Sequence, residues 1–144
     1  MNAETELYLH HVGFVVREIE ASMPGFVTSL RGTWDGAIFE DPHQRVKVAF
    51  LSTRQSDAQI ELVAPANEQS PVRNFLEKQG EGLHHVCYEV SDLERAIADF
   101  RSRNAVLAKH PLPAVAFGGR RIAWVITREK LLIELLERGA EGSN

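Results

Sequence analysis

The sequence predicts an α+β fold in which two paired βαβββ modules form a curved, barrel-like mixed sheet. Three observations carry this expectation. Short motifs recur in the same order at a nearly constant spacing. Each copy opens with an alternating strand followed by a helical apolar period. The imidazoles and carboxylates that interrupt these strands occupy equivalent places in both copies.

The repeat comes first. Leu9-His10-His11-Val12 returns as Leu83-His84-His85-Val86, 74 residues later, and Ile60-Glu61-Leu62 returns as Ile133-Glu134-Leu135, 73 residues later. Between them Val46-Lys47-Val48-Ala49-Phe50 aligns with Arg120-Arg121-Ile122-Ala123-Trp124. The chain of 144 residues therefore reads as one domain, with module one at about 7–64, a linker at 65–80 and module two at about 81–137.

The elements follow in order. Leu9–Val16 and Leu83–Val90 alternate as strands. Pro24 suits only a first turn, so the helix of the first copy is placed from near Ser22 to near Gly32. In the second copy Ser91-Asp92-Leu93-Glu94 is a capping-box pattern, and Leu93, Ile97 and Phe100 fall at helical spacing. Three strands complete each unit, near Gly36–Glu40, Arg45–Ser52 and Gln59–Val63, then near Ala105–Lys109, Arg120–Thr127 and Leu131–Leu136. Within the linker, Val72–Gln79 reads as a short helix.

Composition narrows the class. With 44% hydrophobic and 25% charged residues the chain can drive burial, and no apolar run approaches the ~20 residues of a membrane span. The acidic start MNAETELYLHH lacks the basic and apolar segments of a secretory signal. The single cysteine, Cys87, fits a reducing cytoplasm. A net charge of −4 gives no electrostatic reason to expect nucleic acid or an anionic membrane as partner.

Strand alternation then assigns faces. Val12, Phe14 and Val16 form a helix-packed face, as do Val86, Tyr88 and Val90, Ile60 with Leu62, and Ile133 with Leu135. His11, Glu61, His85 and Glu134 fall on the opposite faces. Two neutral imidazoles and two carboxylates suit one divalent transition ion such as Co2+, Zn2+, Ni2+ or Mn2+. The same reasoning puts Lys47 and Arg121 on the cavity side, as substrate-binding cations for an anionic ligand. Glu89 shares the face of His85, whereas His10 and His84 read as structural.

At these residues the chain resembles the vicinal oxygen chelate superfamily, which includes glyoxalase I, and within it is most like methylmalonyl-CoA epimerase. The stretches LHHVGFVV, RVKVAFL, IELVAP, SPVRNFLEKQGEGLHHVCYEV and IELLE carry the resemblance. It implies paired βαβββ modules, metal ligands at His11, Glu61, His85 and Glu134, and a homodimer. It also implies a reaction in which the α-proton of an acyl thioester is removed and returned through a metal-stabilised enolate. Base chemistry is carried over to Glu134; Glu61 serves the other face if it swings off the metal, and strand alternation alone adds Glu89 as a further carboxylate.

The resemblance has departures. Glu61 is the glyoxalase I type where some epimerases have Gln. Some epimerases place a carboxylate on the third strand of the first module, where alternation puts Lys47. The segment PAVAFGGRRIAWVITREKLLIEL also diverges. Four alternatives stand beside the epimerase: a glyoxalase I-type lyase, a natural-product isomerase or cyclase, an extradiol dioxygenase and a metal-free metabolite- or drug-binding module. The superfamily hosts many chemistries on one fold.

Overall fold

The computed structural model of the protein describes residues 6–54 and 56–139; the first five residues of the acidic N-terminal stretch lie outside them. The described residues form nine strands and three α-helices, a mixed α+β fold. They gather into two compact units, one of residues 11–84 and one of residues 85 onward with the N-terminal residues up to 10.

In the unit of residues 11–84, β1 (Tyr8–Val15, whose first residues belong to the other unit) leads into α1 (Ile19–Leu30). Short β2 (Gly32–Trp34) and β3 (Phe39–Asp41) follow, then the long hairpin of β4 (Val46–Thr53) and β5 (Gln59–Pro65), then α2 (Val72–Gln79). β1 runs parallel to β5, while β4 is antiparallel to β5, β2 and β3. Ile19 and Met23 of α1 pack on Val16, Ala49, Leu51, Leu62 and Ala64, with Phe14 and Ile60 alongside.

The first helix starts at Ile19, not near Ser22, so Pro24 sits inside it. Proline removes one backbone hydrogen bond; burial of Ile19 and Met23, 4% and 1% exposed, offsets that loss. The single strand expected at Gly36–Glu40 is instead β2 and β3, separated by a turn. There Ala37 N–H donates to Asp35 Oδ1, and the indole N–H of Trp34 donates to the Ala37 carbonyl. Gly32 is required for close approach, since a Cβ there would lie 2.0 Å from Leu51 Cδ1 and 3.0 Å from the Ser52 carbonyl.

In the unit of residues 85 onward, β6 (Gly82–Val90, whose first residues belong to the other unit) is followed by α3 (Leu93–Ser102) and β7 (Val106–Pro113). A single 3-10 turn (Val115–Phe117) then leads to β8 (Arg121–Ile126) and β9 (Leu132–Glu137). β6 is parallel to β9, β8 is antiparallel to β9, and β7 pairs β8 with two register shifts. The cap of α3 lies one residue beyond the expected box: Asp92 is the N-cap and accepts from the Arg95 N–H at 3.0 Å. Leu93, Ala96 and Ile97 of α3 pack on Val90, Ala123, Val125, Ile133 and Leu135. Among the described residues no helix is long and apolar enough to cross a membrane.

Candidate metal centre

The two units build the same arrangement from the same register. In the first, parallel pairing sets Gly13 beside Glu61, two residues beyond His11. Glu61 Oε1 thereby reaches His11 Nε2 at 3.3 Å, with both side chains buried. In the second, Cys87 stands beside Glu134, two residues beyond His85. Glu134 Oε1 lies 3.5 Å from His85 Nε2, again buried. The strands alternate as expected on both sides: Leu62 and Leu135 enter the helix-packed cores, so their neighbours Glu61 and Glu134 turn away.

An aromatic ring completes each pair. Phe50 is directly opposite Glu61 on β4, and its ring meets the His11 imidazole edge-on at 5.5 Å. Trp124 is directly opposite Glu134 on β8, and its indole meets the His85 imidazole at 4.8 Å. Phe50 and Trp124 align in the repeat and lie directly opposite Glu61 and Glu134, on the side that the expected cavity placement of Lys47 and Arg121 leaves to the helices. The available signal was their neighbours: Ala49 and Ala123 are the small residues that fit beneath a packed helix, and both are 0% exposed.

The same inversion of β4 and β8 corrects the expected substrate cations. Lys47 shares the parity of Ala49 and Leu51, which pack against α1, and pairs across the hairpin with Ala64 of the same core. It therefore stands on the face opposite His11 and Glu61 and is exposed. Arg121 shares the parity of Ala123 and Val125 on the α3 side. Its guanidinium is held there, bidentate to Glu137 at 2.7 and 3.0 Å and 2.9 Å from Glu94. These hydrogen bonds, that to Glu137 first, raise the Arg121 pKa further above its ordinary value, and Arg121 in turn holds the Glu137 carboxyl below the usual range. Neither cation is on the face its unit gives to the histidine.

A cation that does share the parity of Trp124 is Arg120. Its guanidinium lies 2.9 Å from Glu89 and donates through Nε to the Phe117 carbonyl at 3.3 Å. Glu89 also accepts from Arg138 Nε at 3.2 Å. Burial pushes the Glu89 carboxyl up, but the hydrogen bonds from Arg120 and Arg138 outweigh it and hold the group below its ordinary value. Glu89 is thus held in its charged form between the two guanidiniums.

The remaining histidines meet other rings. His10 packs edge-on to Phe117 at 5.3 Å and His84 to Phe75 of α2 at 5.0 Å. A cavity of about 310 Å³ in the first unit, lined by Arg17, Glu18, Pro65, Arg73, Leu76 and Glu77, contains none of the expected site residues.

The donors in each unit fit a metal ion. A buried imidazole beside a buried carboxylate offers hard-to-borderline nitrogen and oxygen ligands of the kind that hold divalent transition ions. A cation also offsets the cost of removing carboxylates from water.

Comparison with known proteins agrees with the fold. The sequence profile described as the glyoxalase/bleomycin resistance protein/dioxygenase superfamily matches residues 10–124. The ethylmalonyl-CoA/methylmalonyl-CoA epimerase of Cereibacter sphaeroides is 31% identical over 118 residues, covering 81% of this chain and 86% of that protein. The crystal structure of methylmalonyl-CoA epimerase from Mycobacterium tuberculosis superposes with a TM-score of 0.81 at 27% identity, over 98% of this chain and 95% of that one. Methylmalonyl-CoA epimerase of Streptomyces coelicolor, in complex with 2-nitronate-propionyl-CoA, shares the fold with a TM-score of 0.80 at 22% identity, over 94% and 100% of the two chains. The chain belongs to the glyoxalase/bleomycin resistance protein/dioxygenase superfamily.

Proposed function

We propose that the protein is a metal-dependent epimerase that removes and returns the α-proton of an acyl thioester, with methylmalonyl-CoA or a related 2-substituted malonyl thioester as substrate. The observation that carries this reading is the buried His–Glu pair built twice by one register, His11 with Glu61 and His85 with Glu134. Relatives named as methylmalonyl-CoA epimerases support the reaction class. In this reading the four side chains hold one divalent ion. Bound there, it supplies Lewis-acid stabilisation of the negative charge that develops on the thioester oxygen as the proton leaves.

The chain's own groups then divide the work. Glu134 takes the α-proton, and Glu61, swung off the ion and protonated, delivers one to the opposite face. Within each pair the imidazole Nε2 and the carboxylate Oε1 stand 3.3 and 3.5 Å apart, as neighbouring donors to the ion. Phe50 and Trp124 fix the imidazole planes and displace water from beside them. The resemblance and the single cysteine extend the reading to a cytoplasmic enzyme acting as a homodimer.

The test is isotopic. Incubation of methylmalonyl-CoA with the metal-loaded protein in heavy water is expected to place deuterium at the α-carbon. Conversion of the hemithioacetal of methylglyoxal and glutathione, with no exchange into methylmalonyl-CoA, overturns the proposal in favour of glyoxalase-type isomerisation.

A further inference from the structure

We propose that Phe50, with Phe39 and Val48, forms the wall against which the α-substituent of the substrate packs, and that this wall selects an alkyl chain. The inference rests on the epimerase reading above and names the substrate group that reading leaves open. All the residues belong to the unit of residues 11–84. Phe50 lies opposite Glu61 and edge-on to His11. Phe39 lies opposite Val48 across β3 and β4, and its ring is 6.5 Å from that of Phe50. Val46 and Val48 are buried, Phe50 is half-buried and Phe39 is 37% exposed, so the wall runs from the interior outward.

None of Val46, Val48, Phe50 and Phe39 offers a hydrogen bond to a polar substituent. The carboxylate that β3 places on this face, Asp41, is engaged in its own turn. It accepts from the N–H groups of His43 and Gln44 and from Gln44 Nε2, at 2.9 to 3.1 Å.

The α-carbon of a 2-substituted malonyl thioester carries a proton, a carboxylate, the thioester carbonyl and one further group. The oxygen-bearing groups suit the divalent ion of the epimerase reading, and the further group is left for the apolar surface. Each methylene moved from water onto such a surface tightens binding roughly fourfold. Because the wall continues outward to Phe39, the gain extends past a methyl group to ethyl and longer chains.

The experiment measures binding and exchange side by side. 2-Methyl-, 2-ethyl- and 2-butylmalonyl-CoA are titrated onto cobalt-loaded wild type, Phe50→Leu and Phe39→Ala, with metal content and circular dichroism recorded for each. Deuterium uptake at the α-carbon is followed on the same samples. The expected result is wild-type affinity that rises with chain length, and a butyl-over-methyl preference reduced about fivefold or more in both variants. An unchanged preference in the two folded, metal-loaded variants overturns the inference, as does wild-type affinity that is flat or falls with length. Exchange without a length preference leaves the epimerase reading standing and removes the wall. A length preference lost in the variants, without exchange in wild type, keeps the wall and removes the epimerase.

Discussion

Trp124 lies directly opposite Glu134 in the antiparallel β8–β9 pair, and its indole meets the imidazole of His85 edge-on at 4.8 Å. The ring thus touches one member of the His–Glu pair and faces the other. Phe50 does the same for His11 and Glu61. The repeated unit is therefore a triad of imidazole, carboxylate and aromatic ring.

Removing an imidazole should remove the ion. His85→Ala is expected to abolish most of the bound divalent metal, because one of the two nitrogen donors of the proposed ligand set is lost. Elemental analysis of the purified variant after dialysis checks this. Full occupancy in the variant would show that the ion, where present, is held elsewhere.

Glu134→Gln keeps an oxygen donor but loses the proton acceptor. Partial metal retention is expected, with turnover on methylmalonyl-CoA reduced roughly 100-fold or more, the scale of a general base. Near-normal turnover with the ion bound would take Glu134 out of the chemistry.

Glu61→Gln separates exchange from inversion. With Glu134 intact, one epimer should still exchange its α-proton with solvent, while conversion to the other epimer falls by about 100-fold or more. Chiral analysis of the deuterated product reads both rates. Equal losses of exchange and inversion would mean that the two carboxylates do not serve opposite faces.

Glu89 gives a pH-dependent prediction. Its carboxyl is held below the ordinary value in the fold, so the unfolded state binds the proton more readily. The stability it contributes is present above the unfolded carboxylate range, near pH 4–5, and is lost as pH falls through the lower folded value. Glu89→Gln should cost about 1–3 kcal/mol at neutral pH, since it leaves Arg120 and Arg138 without their anionic partner. It should also flatten the acid limb of a melting-temperature curve. A variant whose curve parallels the wild type down to pH 3 would contradict this.

Gly32→Ala tests the one close approach in β2. The added methyl group would meet Leu51 Cδ1 and the Ser52 carbonyl, so Leu51, itself 0% exposed, must shift within the α1 core. Overpacking of this kind costs typically 1–3 kcal/mol, read as a lowered denaturant midpoint with an unchanged slope.

The sequence by itself determined the duplication, the mixed α+β class and the positions that matter in it. A spacing of 73–74 residues aligned His11 with His85 and Glu61 with Glu134. Alternation in β5 and β9 was unambiguous because an acidic residue sat between two aliphatic ones, so the polar side could only be the side turned from the core. The helix Val72–Gln79 was equally legible, since Pro71 precedes it and Gly80 ends it.

Only the tertiary structure decided the faces of β4 and β8. Both alternating sets in β4 are apolar, Val46, Val48 and Phe50 against Ala49 and Leu51, so the period identifies two faces without saying which one a helix covers. Packing settles it by volume. The small Ala49 and Ala123 lie under α1 and α3, while the bulky Phe50 and Trp124 take the faces of the histidines. With that choice Lys47 and Arg121 turn away from the candidate centre, and Arg121 meets Glu94 and Glu137, partners that no local pattern in the sequence brings beside it. The start of α1 was hidden for a related reason. Pro24 reads as a boundary when only backbone hydrogen bonds are considered, and the burial of Ile19 and Met23 that carries the helix through it exists only once the sheet is in place.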